Sequence, residues 1–147
     1  MNHAVFELYY YLTLQVKYRH ELINDDILTR MESIFRDTLS KWRCSMLEFS
    51  GEKDHVHILF EAHPSMNLSQ LIANLKTVNS RLIRKEFASY LSKYFWKPYF
   101  WSLSYGIKTV SRGADMDTIV KYIQQQERPQ PARPKHSPEL TSDYSKA

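Results

Sequence analysis

Two histidines one residue apart, His55 and His57, stand in a run with the character of a β-strand. The run Asp54-His55-Val56-His57-Ile58-Leu59-Phe60 is rich in apolar and β-branched residues and free of Gly and Pro. Side chains on a strand alternate faces, so Val56, Ile58 and Phe60 share one side while His55 and His57 share the other. Two imidazoles projecting from one face can bind a single metal ion. They can equally be two polar residues on the wet face of a half-buried sheet, because His-x-His is short and recurs by chance.

A second pair with chemical potential lies near the other end of the chain. Met116, Ile119, Val120 and Ile123 recur at helical spacing, which predicts a helix capped by Asp115 or Asp117 and reaching about Glu127. At about 100° per residue, Tyr122 and Gln126 fall within about 40° of each other on one flank of that stripe, roughly 6 Å apart along the axis. A phenol and an amide oxygen can then face one point. Taken alone the pair is weak, since Tyr122 is one of ten tyrosines and surface glutamine is common.

The elements that must position these pairs follow from periodicity. Val5 to Val16 is aromatic and β-branched and predicts a first, central strand. It exits into Lys17-Tyr18-Arg19-His20, two cations and two rings suited either to phosphates and bases or to solvent. Asn24 or Asp25 caps a helix whose buried stripe is Ile27, Leu28, Met31, Ile34, Phe35 and Leu39. Cys44 to Phe49 predicts a second strand, and Ser50-Gly51-Glu52-Lys53 turns it back into the histidine strand as a hairpin. Asn67, with Gln70 three residues on, caps a long helix burying Leu68, Leu71, Ile72, Leu75, Val78 and Leu82. Lys76, Arg81, Arg84 and Lys85 lie largely off that stripe, on a face that is either solvated or turned to DNA phosphates. Tyr94 to Tyr105 is dense in aromatics, and Gly106 to Val110 predicts a fourth strand. Ser111-Arg112-Gly113-Ala114 is a flexible joint before the last helix. Pro129, Pro131, Pro134 and Pro138 predict an extended, disordered tail from about residue 128.

The order β-α-β-β-α-β plus a helix predicts an α+β fold: a ferredoxin-like or RRM-like antiparallel sheet with helices on one face and a C-terminal helix carrying the tyrosine. In that topology the histidine strand is central and its histidines face the open side. A chain of 147 residues is one domain's worth, here 1–127 with the tail at 128–147. The formal charge of +4, from 20 Lys+Arg against 16 Asp+Glu, is compatible with nucleic acid without requiring it. The single cysteine, Cys44, excludes an internal disulfide and reads as a small buried hydrophobe more readily than as a catalytic thiol. No leader or membrane-length apolar run is recognisable, so a cytoplasmic protein with no membrane partner is expected.

The chain resembles the single-tyrosine HUH transposases of the insertion-sequence two-hundred/six-hundred-and-five group, the IS200-like transposases, which move as single-stranded DNA. The matching pieces are Val16-Lys17-Tyr18-Arg19, Asp54-His55-Val56-His57-Ile58-Leu59, the helix with Leu75-Lys76, Phe100-Trp101-Ser102 with Tyr105, and Tyr122-Ile123-Gln124-Gln125-Gln126. They occur in the family's order over roughly residues 8 to 127. His-x-His combined with Tyr-x-x-x-Gln on a late helix is the specific part. One departure is Gly106-Ile107 after Tyr105, where many relatives carry an aromatic, which leaves the pairing of that strand open.

The resemblance implies His55, His57 and Gln126 as ligands of a divalent ion, Mg²⁺ or Mn²⁺, and Tyr122 as the nucleophile. It implies cleavage and rejoining of single-stranded DNA at hairpin-marked ends through a 5′-phosphotyrosine. It also implies a homodimer with active sites shared between subunits, for which Gly113 is the expected hinge. Lys17, Arg19, Lys76, Arg81, Arg84 and Lys85 are the candidate DNA contacts. The rivals are another HUH nickase (a replication initiator, a relaxase or a repeat-associated relative) and a non-catalytic RRM-like module that binds single strands.

Overall fold

The computed structural model describes residues 8–131. Strand β1 (Leu8–Val16) leads through a 3-10 turn (Lys17–Arg19) to helix α1 (Asp25–Lys41), and the hairpin of β2 (Ser45–Glu52) and β3 (His55–Ala62) follows. Helix α2 (Leu68–Glu86), the short α3 (Ala88–Leu91), strand β4 (Trp101–Val110) and helix α4 (Ala114–Gln124) complete the chain. The sheet order is β2-β3-β1-β4, every neighbouring pair antiparallel. This is the ferredoxin-like order, with β1 and β3 in the middle as the element sequence predicts.

The two faces of the sheet separate by strand parity. Leu12, Leu14 and Val16 of β1 join Val56, Ile58 and Phe60 of β3 in the main core. Against them α1 buries Ile27, Leu28, Met31, Ile34, Phe35 and Leu39, and α2 buries Leu71, Ile72, Leu75 and Ile83. The helix starts are capped as anticipated: Asn24 Oδ1 accepts from the Ile27 amide and Asn67 Oδ1 from the Gln70 amide. Asn79 is fully buried on α2, a polar residue that the apolar pattern does not reveal, and its Nδ2 donates to the Met31 carbonyl.

The opposite face holds a smaller cluster. Leu59, Val110, Ile119 and Ile123 are buried there, flanked by Tyr9, Tyr11, Met116 and Val120. The histidine face is therefore not open: α4 covers part of it. Only two side chains of α4, Ile119 and Ile123, are buried, which supplies roughly 3–6 kcal/mol of hydrophobic stabilisation. That is a modest hold on a helix of 11 residues.

Several boundaries move from their sequence positions. Strand β2 runs on to Glu52, and the turn is the two residues Lys53 and Asp54, with Glu52 paired to His55. The predicted turn residue Gly51 sits inside the strand, paired with Val56, and α1 packs so close over it that a Cβ there would meet Leu28 Cδ1 at 2.7 Å. Strand β4 begins at Trp101 rather than Gly106 and pairs with β1 along its length, with one shift between Leu14 and Val16. Helix α4 has Gly113 at its N-cap, so neither predicted aspartate takes that place; Asp115 Oδ2 instead accepts from the Ser111 amide. The helix stops at Gln124, and the Gln126 amide closes a tighter turn on the Ile123 carbonyl. The tail predicted from residue 128 is packed at its start, with Pro129 buried. Its remainder past 131 lies outside the described residues.

Candidate active site

Antiparallel register brings Thr13 opposite His57 and Tyr11 opposite Leu59. Diagonal neighbours on one face lie within reach of long side chains, so the Tyr11 hydroxyl reaches His57 Nδ1 at 2.7 Å. The two rings stack with centroids 5.6 Å apart. Thr13 Oγ1 lies 3.4 Å from the same nitrogen. Burial raises the Tyr11 phenol above its ordinary range, and a hydrogen bond with Thr13 offsets part of that rise.

His57 is 4% exposed, a buried imidazole rather than a wet-face residue. Burial, with the charge of His55 beside it, pushes its pKa down to about 4, so it is neutral at physiological pH. Its other nitrogen, Nε2, is buried with no hydrogen-bond partner. His55 is held differently. Its Nδ1 lies 2.7 Å from Asp54 Oδ1, while Arg19 Nε donates to Asp54 Oδ2 at 3.0 Å. Left-handed backbone angles at Tyr18 and Arg19, with φ of 62° and 55°, fold the turn after β1 back so that Arg19 meets Asp54. Burial alone would raise the Asp54 carboxyl, but hydrogen bonds and charges from His55 and Arg19 bring it below its ordinary value.

Both imidazoles thus have Nδ1 engaged, by a phenol in one case and a carboxylate in the other. Such partners fix ring orientation and leave Nε2 to bind. The ring centroids lie 4.7 Å apart.

Helix α4 brings Tyr122 to the same face of its own chain. Its ring meets His57 edge-on with centroids 5.6 Å apart, and the side chain is about half exposed. One turn on, Gln126 Nε2 donates to the Tyr122 carbonyl at 3.5 Å, a long contact, while Gln126 Oε1 is buried and without a partner. The structure therefore gathers His55, His57 and Tyr122, and turns Gln126 inward just beyond the helix end. Among the described residues no group of three or more His, Cys, Asp or Glu side chains converges. A third protein donor to a metal on the histidine pair would, from the described residues, be of another residue type. His57 Nε2 and Gln126 Oε1 are buried without a hydrogen-bond partner, as Ser50 Oγ, Asn79 Oδ1 and Trp101 Nε1 are elsewhere in the fold; an imidazole nitrogen and an amide oxygen are donor types that a divalent cation accepts. Sequence reasoning did not single out Tyr11 or the Arg19–Asp54 pair as supports. The signal for Tyr11 is cross-strand register, which needs the pairing.

The six candidate DNA contacts divide. Lys17, Lys76 and Arg84 line one groove of about 330 Å³ with Tyr99, Trp101 and Leu103, and no acidic residue lines it. Lys17 Nζ sits 4.6 Å from the Tyr99 ring centroid. Lys76 Nζ donates to the Ser102 and Leu103 carbonyls, and burial lowers its pKa, so it braces β4 as well as facing the groove. Arg81 and Lys85 are exposed elsewhere on α2. Arg19 is committed to Asp54. Cys44 is buried and its thiol pKa is raised by burial, as a small core residue should be. No helix among the described residues is long and apolar enough to cross a membrane.

The chain is similar along most of its length to known transposases. The ISDra2 transposase TnpA of Deinococcus radiodurans is 31% identical over 124 residues, spanning 83% of this chain and 86% of that protein. The transposase for insertion sequence element IS200 of Salmonella typhimurium is 29% identical over 127 residues, 86% of this chain and 81% of that protein. A crystal structure of a candidate transposase from Deinococcus radiodurans R1 superposes with a TM-score of 0.68 at 26% identity, over 87% of this chain and 97% of that one. A REP-associated tyrosine transposase bound to a REP hairpin shares the fold, with a TM-score of 0.59 at 9% identity over 84% and 70% of the two chains. The profile of the family described as "Transposase IS200 like" matches residues 4–126. With the histidine pair, the facing tyrosine and a match along most of its length, the chain belongs to the IS200-like transposase family.

Proposed function

We propose that the protein cleaves and rejoins single-stranded DNA at hairpin-marked ends, with Tyr122 as nucleophile and His55, His57 and Gln126 holding Mg²⁺ or Mn²⁺. The observation that carries this reading is the Tyr122 ring edge-on to a buried, neutral His57 whose Nε2 has no partner. The bound ion would supply polarisation of the scissile phosphate and stabilise charge on the leaving oxygen. Tyr122 Oη forms a bond to phosphorus as the bond from phosphorus to the 3′ oxygen breaks. The phenolic proton is lost to solvent and the 3′ oxygen gains one, leaving a 5′-phosphotyrosine and a free 3′-OH. The reverse step rejoins DNA without an external energy source, since the broken bond is conserved in the ester. Half-exposure of Tyr122 suits this role, because the phenol must meet a strand from solvent.

Lys17, Lys76 and Arg84 in the groove beside Tyr99 are suited to phosphates next to unpaired bases. Among the six cations they are the stronger candidates; Arg19 acts through Asp54 instead. The reading includes a homodimer in which the tyrosine helix can complete the partner's site. Its support is the small cluster holding α4 and the φ of 89° at Gly113, a backbone state open to glycine.

The test is incubation with an end-labelled single strand carrying a candidate hairpin, with Mg²⁺ or Mn²⁺. A covalent protein–DNA adduct at the 5′ phosphate is expected, lost in Tyr122→Phe and with chelator. Absence of adduct on every single-stranded end sequence would sink the enzymatic reading.

A further inference from the structure

The chain does not leave the site at Gln126. Arg128 Nε donates to Asp25 Oδ1 at 2.7 Å and its Nη2 to Thr29 Oγ1 at 3.0 Å, so the guanidinium grips the first turn of α1. Pro129 is buried, and the Asp25 amide donates to the Gln130 carbonyl at 3.0 Å. That amide belongs to the start of α1, where backbone donors lack partners within the helix. Glu127 and Arg128 line a cavity of about 390 Å³ together with Glu52 and Asp54, the carboxylate that holds His55. Residues 127–130 are thus a strap from the end of the tyrosine helix, past the support of the histidine pair, to a rigid helix of the main core.

At its other end α4 is attached through Gly113, around which a Cβ would find nothing within 4 Å. Between these ends only Ile119 and Ile123 are buried. Arg112 lies over the Tyr9 ring just before the helix, and Gln124 Nε2 donates to Glu48 Oε2 at 3.3 Å near its end; with so small an apolar footing, the strap is a main fixture of the helix's far end. We propose that the strap is a latch and that Arg128 and Asp25 are positioning residues, holding Tyr122 and Gln126 at the histidine pair of their own chain. The grip is partly exposed, with side-chain exposures of 43% and 36% for Arg128 and Asp25. It is therefore sensitive to salt and releasable. Its role in the reaction rests on the proposed function; its mechanical role does not.

The experiment uses the full chain without metal and follows backbone hydrogen exchange in wild type, Arg128→Ala and Arg128→Lys. Arg36→Ala, which breaks the exposed pair with Glu32 on α1, is the control. In Arg128→Ala the amides of 119–126 are expected to exchange about threefold to tenfold faster, with those of 71–83 in α2 unchanged. Arg128→Lys should fall between, because it keeps the charge and loses the fork. Moving wild type from low to high salt should reproduce the Ala effect. Titration with Mn²⁺ then tests the consequence: affinity should fall by a similar factor in Arg128→Ala and be spared in Arg36→Ala. Unchanged exchange in 119–126, or equal acceleration in α2, would overturn the latch. Loosening of α4 in a protein that binds no Mn²⁺ even as wild type would uphold the latch and count against the metal reading alone.

Discussion

Acidification in the absence of metal tests the burial of His57 directly. In the unfolded chain the imidazole titrates near its ordinary 6.5, whereas in the folded chain burial and His55 hold it at about 4. Between those values the unfolded state binds a proton that the native state refuses, so stability falls as pH falls. The contribution is fully present above 6.5, declines through the interval, and does not change further below about 4. At 1.36 kcal/mol per pH unit this amounts to roughly 3 kcal/mol. Exposure of only 4% leaves little solvent screening to reduce it. Asp54 and Glu86, whose pKa values are lowered in the fold, also lose their stabilisation in acid. Wild type must therefore be compared with His57→Gln, which keeps those groups. Denaturant unfolding in chelator at pH 7.5, 6, 5 and 4 should show wild type losing about 2–3 kcal/mol more than the variant. Parallel curves, separated by the same amount at every pH, would refute the claim that the fold holds this imidazole neutral.

Tyr11→Phe removes the short hydrogen bond at His57 Nδ1 and leaves that buried ring nitrogen only the long contact with Thr13 Oγ1. A loss of roughly 1–2 kcal/mol in stability and about tenfold to hundredfold in Mn²⁺ affinity is expected, read by denaturation and calorimetry. Gly51→Ala forces a methyl against Leu28 Cδ1 and within 3.0 Å of the His55 carbonyl, so a loss of about 1–3 kcal/mol in thermal unfolding is expected. Gly113→Pro cannot adopt the φ of 89°, and strand transfer should drop well below wild type in a single-turnover assay while the main core unfolds at an unchanged midpoint. Gln126→Leu should weaken Mn²⁺ binding yet leave metal-free stability the same or higher, since it removes an unpaired buried oxygen.

Much of the frame was legible because it rests on local periodicity. The alternation in His55–Phe60 assigns Val56, Ile58 and Phe60 to the core whatever they pack on, and the three-and-four spacing in α1 does the same for Ile27 to Leu39. Strand order followed from element order, since short antiparallel connections admit few arrangements. Boundaries were less legible where contacts from outside the segment decide them. Gly51 reads as a turn residue, but it pairs with Val56 in the strand, and the glycine is needed because Leu28 leaves no room for a Cβ. Gly106 reads as a strand start, yet pairing with β1 extends β4 back to Trp101.

The site divides along the same line. By itself the sequence determined residue types and spacing: His-x-His on a strand, Tyr-x-x-x-Gln at a helix end, and the family to which that combination belongs. Only the tertiary structure decided that the histidine face is partly covered, because a helix separated by more than 50 residues from the histidines must dock on it. That docking turns His57 from a wet-face residue into a neutral imidazole with one free nitrogen. Sheet register seats Tyr11 behind one ring and the hairpin turn seats Asp54 behind the other, and the fold divides six similar cations into a groove (Lys17, Lys76, Arg84), a support of Asp54 (Arg19) and an exposed flank of α2 (Arg81, Lys85). A tail that reads as proline-rich and unstructured becomes, at Arg128 to Gln130, the attachment of the tyrosine helix to α1. Charge and composition carry no information about which neighbour a side chain meets across such distances in sequence.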